Sequence, residues 1–460
     1  MARVVISFLG YHSDKVYDYL FPDGSKLAQK PLFLPALLEH LESTDQPVDR
    51  LLVIGAETSA WTRLAEQLLP RDEASRTKLN EFRRILADWQ KRLDLAKPDD
   101  DPDQQELADA WSALFPGHET EGAKYHAAVL EAGPGSKATQ QDRQLETLAA
   151  MQKVIGSRDE VVLDLTQGMR HQPLIALLVA LYLDRLPANK DVKIEGIYAA
   201  SVQYDRHGNE CHEVPVRDLT SILDLAAWIF ALGQFEASGD TGVFTEVLEA
   251  DKNSGTAVKL LKKGARLERA TRTEAAAKKI KEALQQLGAT ADTPPTLNGA
   301  GAAFAGRFAE ALDWVHESDS FHQQRGLARR HLDHRDWLRA ATLMYETCCI
   351  RLLDNMLEEK MTERENKRFF KGKQYQQRHS AADNYANRNA TWFAPVPVQD
   401  RDAFDQRVAD FKLLTAIRNA LAHAGEPDDA VEAVVAVPDD LHTELNRLYD
   451  ALLRDGRRFP

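Results

Sequence analysis

Five short apolar runs punctuate the first 200 residues: VVISFLG from Val4, LLVIG from Leu51, AAVLEAG from Ala127, VVLDLTQG from Val161 and IEGIYAA from Ile194. Each is strand-length and apolar on successive positions, so both faces of the strand must be covered. Between most of them stand helical patterns, such as Leu32 to Leu41 and Pro173 to Leu186, the latter apolar nearly all round. Apolar strands alternating with helices predict a parallel α/β sheet sandwiched by helices, with ligands bound outside the carboxyl ends of the strands.

From about Asp218 the strand signals nearly vanish. LTSILDLAAWIFALGQF is a strong helix, and the charged stretch to Asn298 is helical. Lys259 to Lys281 carries nine basic residues against Glu268 and Glu274, the composition of a solvated helix face. DTPPTLNGAG from Asp292 is a loop, and Trp337 to Leu357 is a further apolar helix. VEAVVAV from Val431 is the one late strand-like run, and KPDDDPDQQE from Lys97 is expected to be a solvated insertion. No internal repeat is present. The expected organisation is an α/β domain over residues 1–217, a helical connector over 218–330 and a terminal all-α domain over 331–460.

Composition narrows the setting. Cys211, Cys348 and Cys349 form no spaced disulfide framework, as suits a reducing cytosol. The N-terminal apolar run lacks a cleavage site and no segment approaches the ~18 apolar residues of a membrane span, so a soluble cytoplasmic protein with no membrane contact is expected. A net charge of -13 argues against general coating of nucleic acid, so a nucleic-acid site has to be local.

Three strand tips carry polar, glycine-containing sequences: Gly10, Tyr11, His12 and Ser13 after the first, Gly55 to Trp61 with Thr58 and Ser59 after the second, and Asp164 to His171 after the fourth. Thr166, Gln167, Gly168, Arg170 and His171, with a helix opening near Pro173, suit a phosphate group: backbone amides at a helix N-terminus and a charged fork. Glycine and Ser/Thr also occur at such turns simply as helix caps. No Walker lysine sequence and no complete GxGxxG is present, which weakens ATP hydrolysis and nicotinamide chemistry. His207, Cys211 and His212 in RHGNECHE lie in a hairpin without a second ligand cluster, and no metal site is expected.

IRNALAHA, Ile417 to Ala424, concentrates polar chemistry on an amphipathic helix. Asn419 and His423 lie one above the other at i, i+4, Arg418 about 140° from His423, and Phe411, Leu414, Ile417 and Leu421 on the other side. Gly425 and Pro427 stop the helix. A histidine at a helix end also complements the dipole, and Arg329 with His334, or Arg325 with His331, repeats the spacing in QQRGLARRHLDHRDW, which is polar on most faces. Glu346 on the Trp337 helix is a weaker candidate for the same interior. Lys371 and Lys373 stand in a basic stretch interleaved with Phe369, Phe370 and Tyr375, a composition that suits a single strand with stacked bases and equally a solvated loop.

FLGYHSD from Phe8, the D-x-T-x-G-x-R pattern from Asp164 to Arg170, PVRDLTSIL from Pro215 and the R-N-x-x-x-H pattern from Arg418 to His423 together resemble the CARF-HEPN ribonucleases of type III CRISPR systems. Gln167, Met169 and an extended region around residues 80–118 depart from that family's usual pattern. The resemblance implies a Rossmann-like CARF domain binding cyclic oligoadenylate, cA4 or cA6, across a homodimer, and paired HEPN domains whose Arg418, Asn419 and His423 cut single-stranded RNA. It implies a metal-independent endoribonuclease in antiviral defence, allosterically activated, requiring no cofactor, and leaving 2′,3′-cyclic phosphate and 5′-hydroxyl ends. Slow ring-nuclease activity at Thr166, Arg170 or His12 is a further expectation. The alternative from a different class is a non-catalytic cyclic-nucleotide sensor whose helical half contacts nucleic acid or a partner without cutting.

Overall fold

A computed structural model of the chain describes residues 2–10, 15–56, 58–95, 104–115, 124–130, 140–167, 172–185, 192–290, 292–358, 401–423 and 429–453. The chain divides into two compact units, Met1–Leu223 and Asp224–Pro460.

The first unit is built on strands β1 (Arg3–Leu9), β2 (Tyr17–Leu20), β3 (Lys26–Lys30), β4 (Arg50–Ala56), β5 (Tyr125–Leu130), β6 (Glu160–Asp164), β7 (Lys193–Ala200) and β8 (Glu213–Asp218). Its helices are α1 (Phe33–Ser43), α2 (Trp61–Leu68), α3 (Glu73–Leu95), α4 (Gln104–Ser112), α5 (Gln140–Val154) and α6 (Gln172–Arg185). The strands form a single sheet in the order β3-β2-β8-β7-β6-β1-β4-β5. β1 pairs in parallel with β4 and β6, β4 with β5, and β6 with β7, while β8 runs antiparallel to β7.

The apolar runs are continuous because each residue serves one of two cores. Val5 and Leu9 of β1 join Leu51 and Val53 of β4 beneath α1, α2 and α4, while Val4, Ile6 and Phe8 join Leu52 and Ile54 beneath α5 and α6. Alternate side chains of one strand point to opposite faces, so a doubly covered strand has no polar positions to spare. After β1 the chain lays β2 and β3 at the far edge, then places β4 and β5 outward on one side of β1 and returns to β6 and β7 on the other. The order reverses between β1 and β6, the kind of position at which open α/β sheets bind ligands.

The five expected strands are all present. β2, β3 and β8 were not foreseen: YDYL and KLAQK are short and polar, and EVPVRD carries a proline and exposed charges. They add a mixed edge to the parallel sheet.

The helical unit contains most of α7 (Ser221–Ser238), which starts on the sheet side of the division, then α8 (Phe244–Ala250), α9 (Gly255–Arg269), α10 (Thr273–Gln286), α11 (Ala305–Ala311), α12 (Ser320–Asp333) and α13 (Trp337–Glu358). α14 (Arg401–Ala422), α15 (Asp429–Val435) and α16 (Pro438–Leu453) complete it. One apolar core runs through these elements from Ala227 to Leu453. α9 and α10 pack so closely that a Cβ on Gly264 would lie 2.5 Å from Ile280 Cγ1. Lys259, Lys263, Arg266, Lys278 and Lys281 are exposed on this pair, the solvated basic face that composition suggested.

One open point is settled here and one expectation fails. VEAVVAV, strand-like but too short to assign by type, lies mostly in helix α15: Val431, Val434 and Val435 fall at helical spacing and pack on the core, which outweighs the β-preference of valine. The expectation that fails is a solvated α12, because Phe321, Gln324, Leu327, Ala328, His331 and Leu332 form a buried face at i, i+3, i+4 spacing. Among the described residues no helix is long and apolar enough to cross a membrane.

Candidate functional site

At the switch point, Ser7 on β1 and Asp164 on β6 are register partners. The Ser7 hydroxyl donates to Asp164 Oδ2 at 2.7 Å, and both residues are buried, at 2% and 1% exposure. Burial pushes the Asp164 carboxyl up to about 6, against its hydrogen bonds to Ser7 and Thr166. Thr166 N donates to Asp164 Oδ1 at 2.8 Å, and Thr166 Oγ1 accepts from Ala200 N at 2.9 Å. One carboxylate thereby ties β1 to the turn after β6, and one hydroxyl ties that turn to β7.

The other side of β1 is laced similarly. Ser59 Oγ donates to Leu9 O at 2.6 Å and accepts from Ala56 N at 2.9 Å, while Ala60 N donates to Gly10 O at 3.1 Å. Gly55 must be glycine, since a Cβ there would lie 2.9 Å from Trp61 Cζ2. Ser59 and Thr166 therefore hold backbone at the strand tips. Thr58 is exposed, and Gln167 is half-buried. Tyr11, His12, Ser13, Gly168, Arg170 and His171 lie outside the described residues, as do Lys371, Lys373 and the stop at Gly425 and Pro427. Ser7 and Asp164 were missed as site residues. The available signal was an acid ending an apolar strand, since a buried carboxylate is retained there only with hydrogen-bond partners.

In the helical unit, α14 buries Val408, Phe411, Leu414 and Ile417 and leaves Asn419 and His423 exposed, with Arg418 between. The Arg418 guanidinium donates from Nη2 at 2.5 Å and Nε at 3.2 Å to Asn419 Oδ1. Its carbon lies 4.3 Å from the centre of the Tyr345 ring, which comes from α13. His423 stands just past the last helical residue, and its N–H closes the final turn on Asn419 O at 2.9 Å. The three residues expected on one broad face lie on one stretch of helix end, with the Asn419 side chain in contact with Arg418 and His423 one turn on. This arrangement offers an oriented cation and an accessible imidazole, the requirements of phosphoryl transfer by charge stabilisation and proton exchange.

The repeated Arg/His spacing on α12 has a different fate. Arg329 donates to Asp333 at 2.5 Å and Asn446 at 2.9 Å, and His331 is 1% exposed with both ring nitrogens lacking a hydrogen-bond partner. Of the two repeats only His331 lies in the core: Arg329 keeps 42% of its side chain exposed, and Arg325 and His334 are half-buried, the latter with Nδ1 against Glu236 O. Among the described residues no group of His, Cys, Asp or Glu side chains could hold a metal ion. The RHGNECHE hairpin is present, with Tyr204 bridging Glu210, and His212 Nε2 sits 3.4 Å from Asp18 Oδ1.

No family model matches the chain. Over 266 residues, 54% of this chain, it is 23% identical to a CRISPR-associated protein of Methanocaldococcus jannaschii, MJ1674. The chain spans 38% of that protein's length.

Proposed function

We propose that the chain is a CRISPR-associated endoribonuclease of the CARF-HEPN kind, switched on when cyclic oligoadenylate binds the α/β unit of a homodimer. The observation that carries the proposal is the Arg418 guanidinium, held by Asn419 and Tyr345 on the helix that presents His423 to solvent. The reversal of strand order between β1 and β6 and the similarity to a CRISPR-associated protein support the two-part assignment.

In the proposed reaction the 2′-hydroxyl of single-stranded RNA gives up its proton and attacks the adjacent phosphorus. The P–O5′ bond breaks, the departing 5′ oxygen takes a proton, and a 2′,3′-cyclic phosphate remains. His423 serves in the proton transfers and Arg418 stabilises charge growing on the phosphate oxygens. Two copies of the chain bring two such helices to one composite site. The nucleophile belongs to the substrate, so a metal-activated water has no part in the step.

The test crosses cyclic tri-, tetra- and hexa-adenylate with a single-stranded RNA in EDTA. Cleavage by wild type with one ring size, lost in His423→Ala, is expected. Equal cleavage by both proteins, or none by wild type with any activator, overturns the assignment.

A further inference from the structure

Tyr345 contributes to the α14 site without facing solvent. Its ring is 5% exposed and stacks on Phe411, centroids 5.5 Å apart at 17°. Phe411 and Arg418 lie seven residues apart on the same helix, about 10.5 Å along its axis, which leaves room for one ring between them. Around Tyr345 on α13, Ala341, Met344, Cys348 and Cys349 are all buried. The ring is therefore fixed by packing on a rigid element, and the guanidinium lies against it at 4.3 Å.

Two constraints meet at Arg418. Asn419 takes the edge formed by Nε and Nη2, and Tyr345 takes the face. A guanidinium with one edge and one face occupied has its remaining edge pointed in one direction, so three of its five N–H donors stay available to a phosphate in a set orientation. An unrestrained arginine would have to lose its rotamer freedom in the transition state itself.

We infer that Tyr345 is a positioning residue for Arg418, acting through its ring face and never touching RNA. The inference rests on the ribonuclease assignment above. It separates Tyr345 from a base-stacking or proton-donating tyrosine, either of which needs an exposed ring or hydroxyl.

The experiment measures kcat and KM for single-stranded RNA with saturating activator, using the full chain. Tyr345→Phe keeps the ring and stays within about twofold of wild type. Tyr345→Leu and the unbranched Tyr345→Met, which fills similar space without an aromatic face, lower kcat by about ten- to a hundredfold with KM within about threefold. In an Arg418→Ala background the same substitutions add less than about twofold, because the group they orient is gone. Met is included so that loss of folding in Leu does not decide the outcome. Wild-type rates in both Leu and Met, equal losses in Phe, or a full additional loss without Arg418 overturn the inference while leaving the ribonuclease assignment standing. A wild type that cuts no RNA overturns that assignment and the inference with it.

Discussion

The Ser7 hydroxyl and the Asp164 carboxyl meet at 2.7 Å across the boundary where the strand order reverses, both buried. Burial holds Asp164 at about 6, above its ordinary 3.8, so the folded chain keeps a proton that the unfolded chain releases. Stability from this group is fully present below about pH 4 and is lost as pH rises through 6. Unfolding of wild type and Asp164→Asn by urea at pH 4 and pH 7 should show wild type losing roughly 2 kcal/mol more than the variant over that interval. Parallel pH curves for the two proteins would contradict the prediction.

His331 has the opposite sign. Burial, with Arg330 and Arg339 nearby, takes its imidazole down to about 3 from 6.5, so the unfolded chain binds a proton that the fold refuses. That contribution is present above about pH 6.5 and lost progressively as pH falls toward 3. His331→Leu removes two buried nitrogens without hydrogen bonds and should be neutral or stabilising at pH 7. Its acid unfolding midpoint should move to lower pH, followed by circular dichroism.

Glu268 and Arg330 form a buried ion pair, with Glu268 also accepting from Thr241 Oγ1 at 2.8 Å and the Arg330 guanidinium lying over Phe235 and Trp314. Glu268→Ala strands a guanidinium among aromatic rings and should cost about 3–5 kcal/mol in denaturant unfolding. Replacing Glu274, exposed on the neighbouring helix, should change stability by less than about 0.5 kcal/mol.

Arg418→Ala and His423→Ala should each lower RNA cleavage by about a hundred- to ten-thousandfold while shifting the thermal midpoint little. Asn419 is the graded case. Asn419→Ala frees one edge of Arg418 and should fall between wild type and Arg418→Ala in kcat.

The parallel strands were legible because burial on both faces leaves a run of apolar residues that nothing else in an α/β unit requires. β2, β3 and β8 were not, since edge strands answer to neighbours distant in sequence: β2 finds β8 nearly 200 residues later. α12 was misjudged for a related reason. Arg330 and His331 look solvent-facing by type, and only the partners supplied by α9 and the helices around it show that they lie inside. In the helical site, spacing alone placed Arg418, Asn419 and His423 on one face, whereas Tyr345 was invisible because a buried tyrosine on an apolar helix looks like any core residue. Ser7 was hidden the same way, as one small residue in a strand.

Along α14 the core residues and the exposed polar residues do not overlap: Val408, Phe411, Leu414 and Ile417 face inward, and Asn419 and His423, nearer the helix end, face out. On the proposed function, a chain that lost His423 would keep its fold and core and lose only its chemistry, so silencing this helix takes a single substitution and restoring it takes one more.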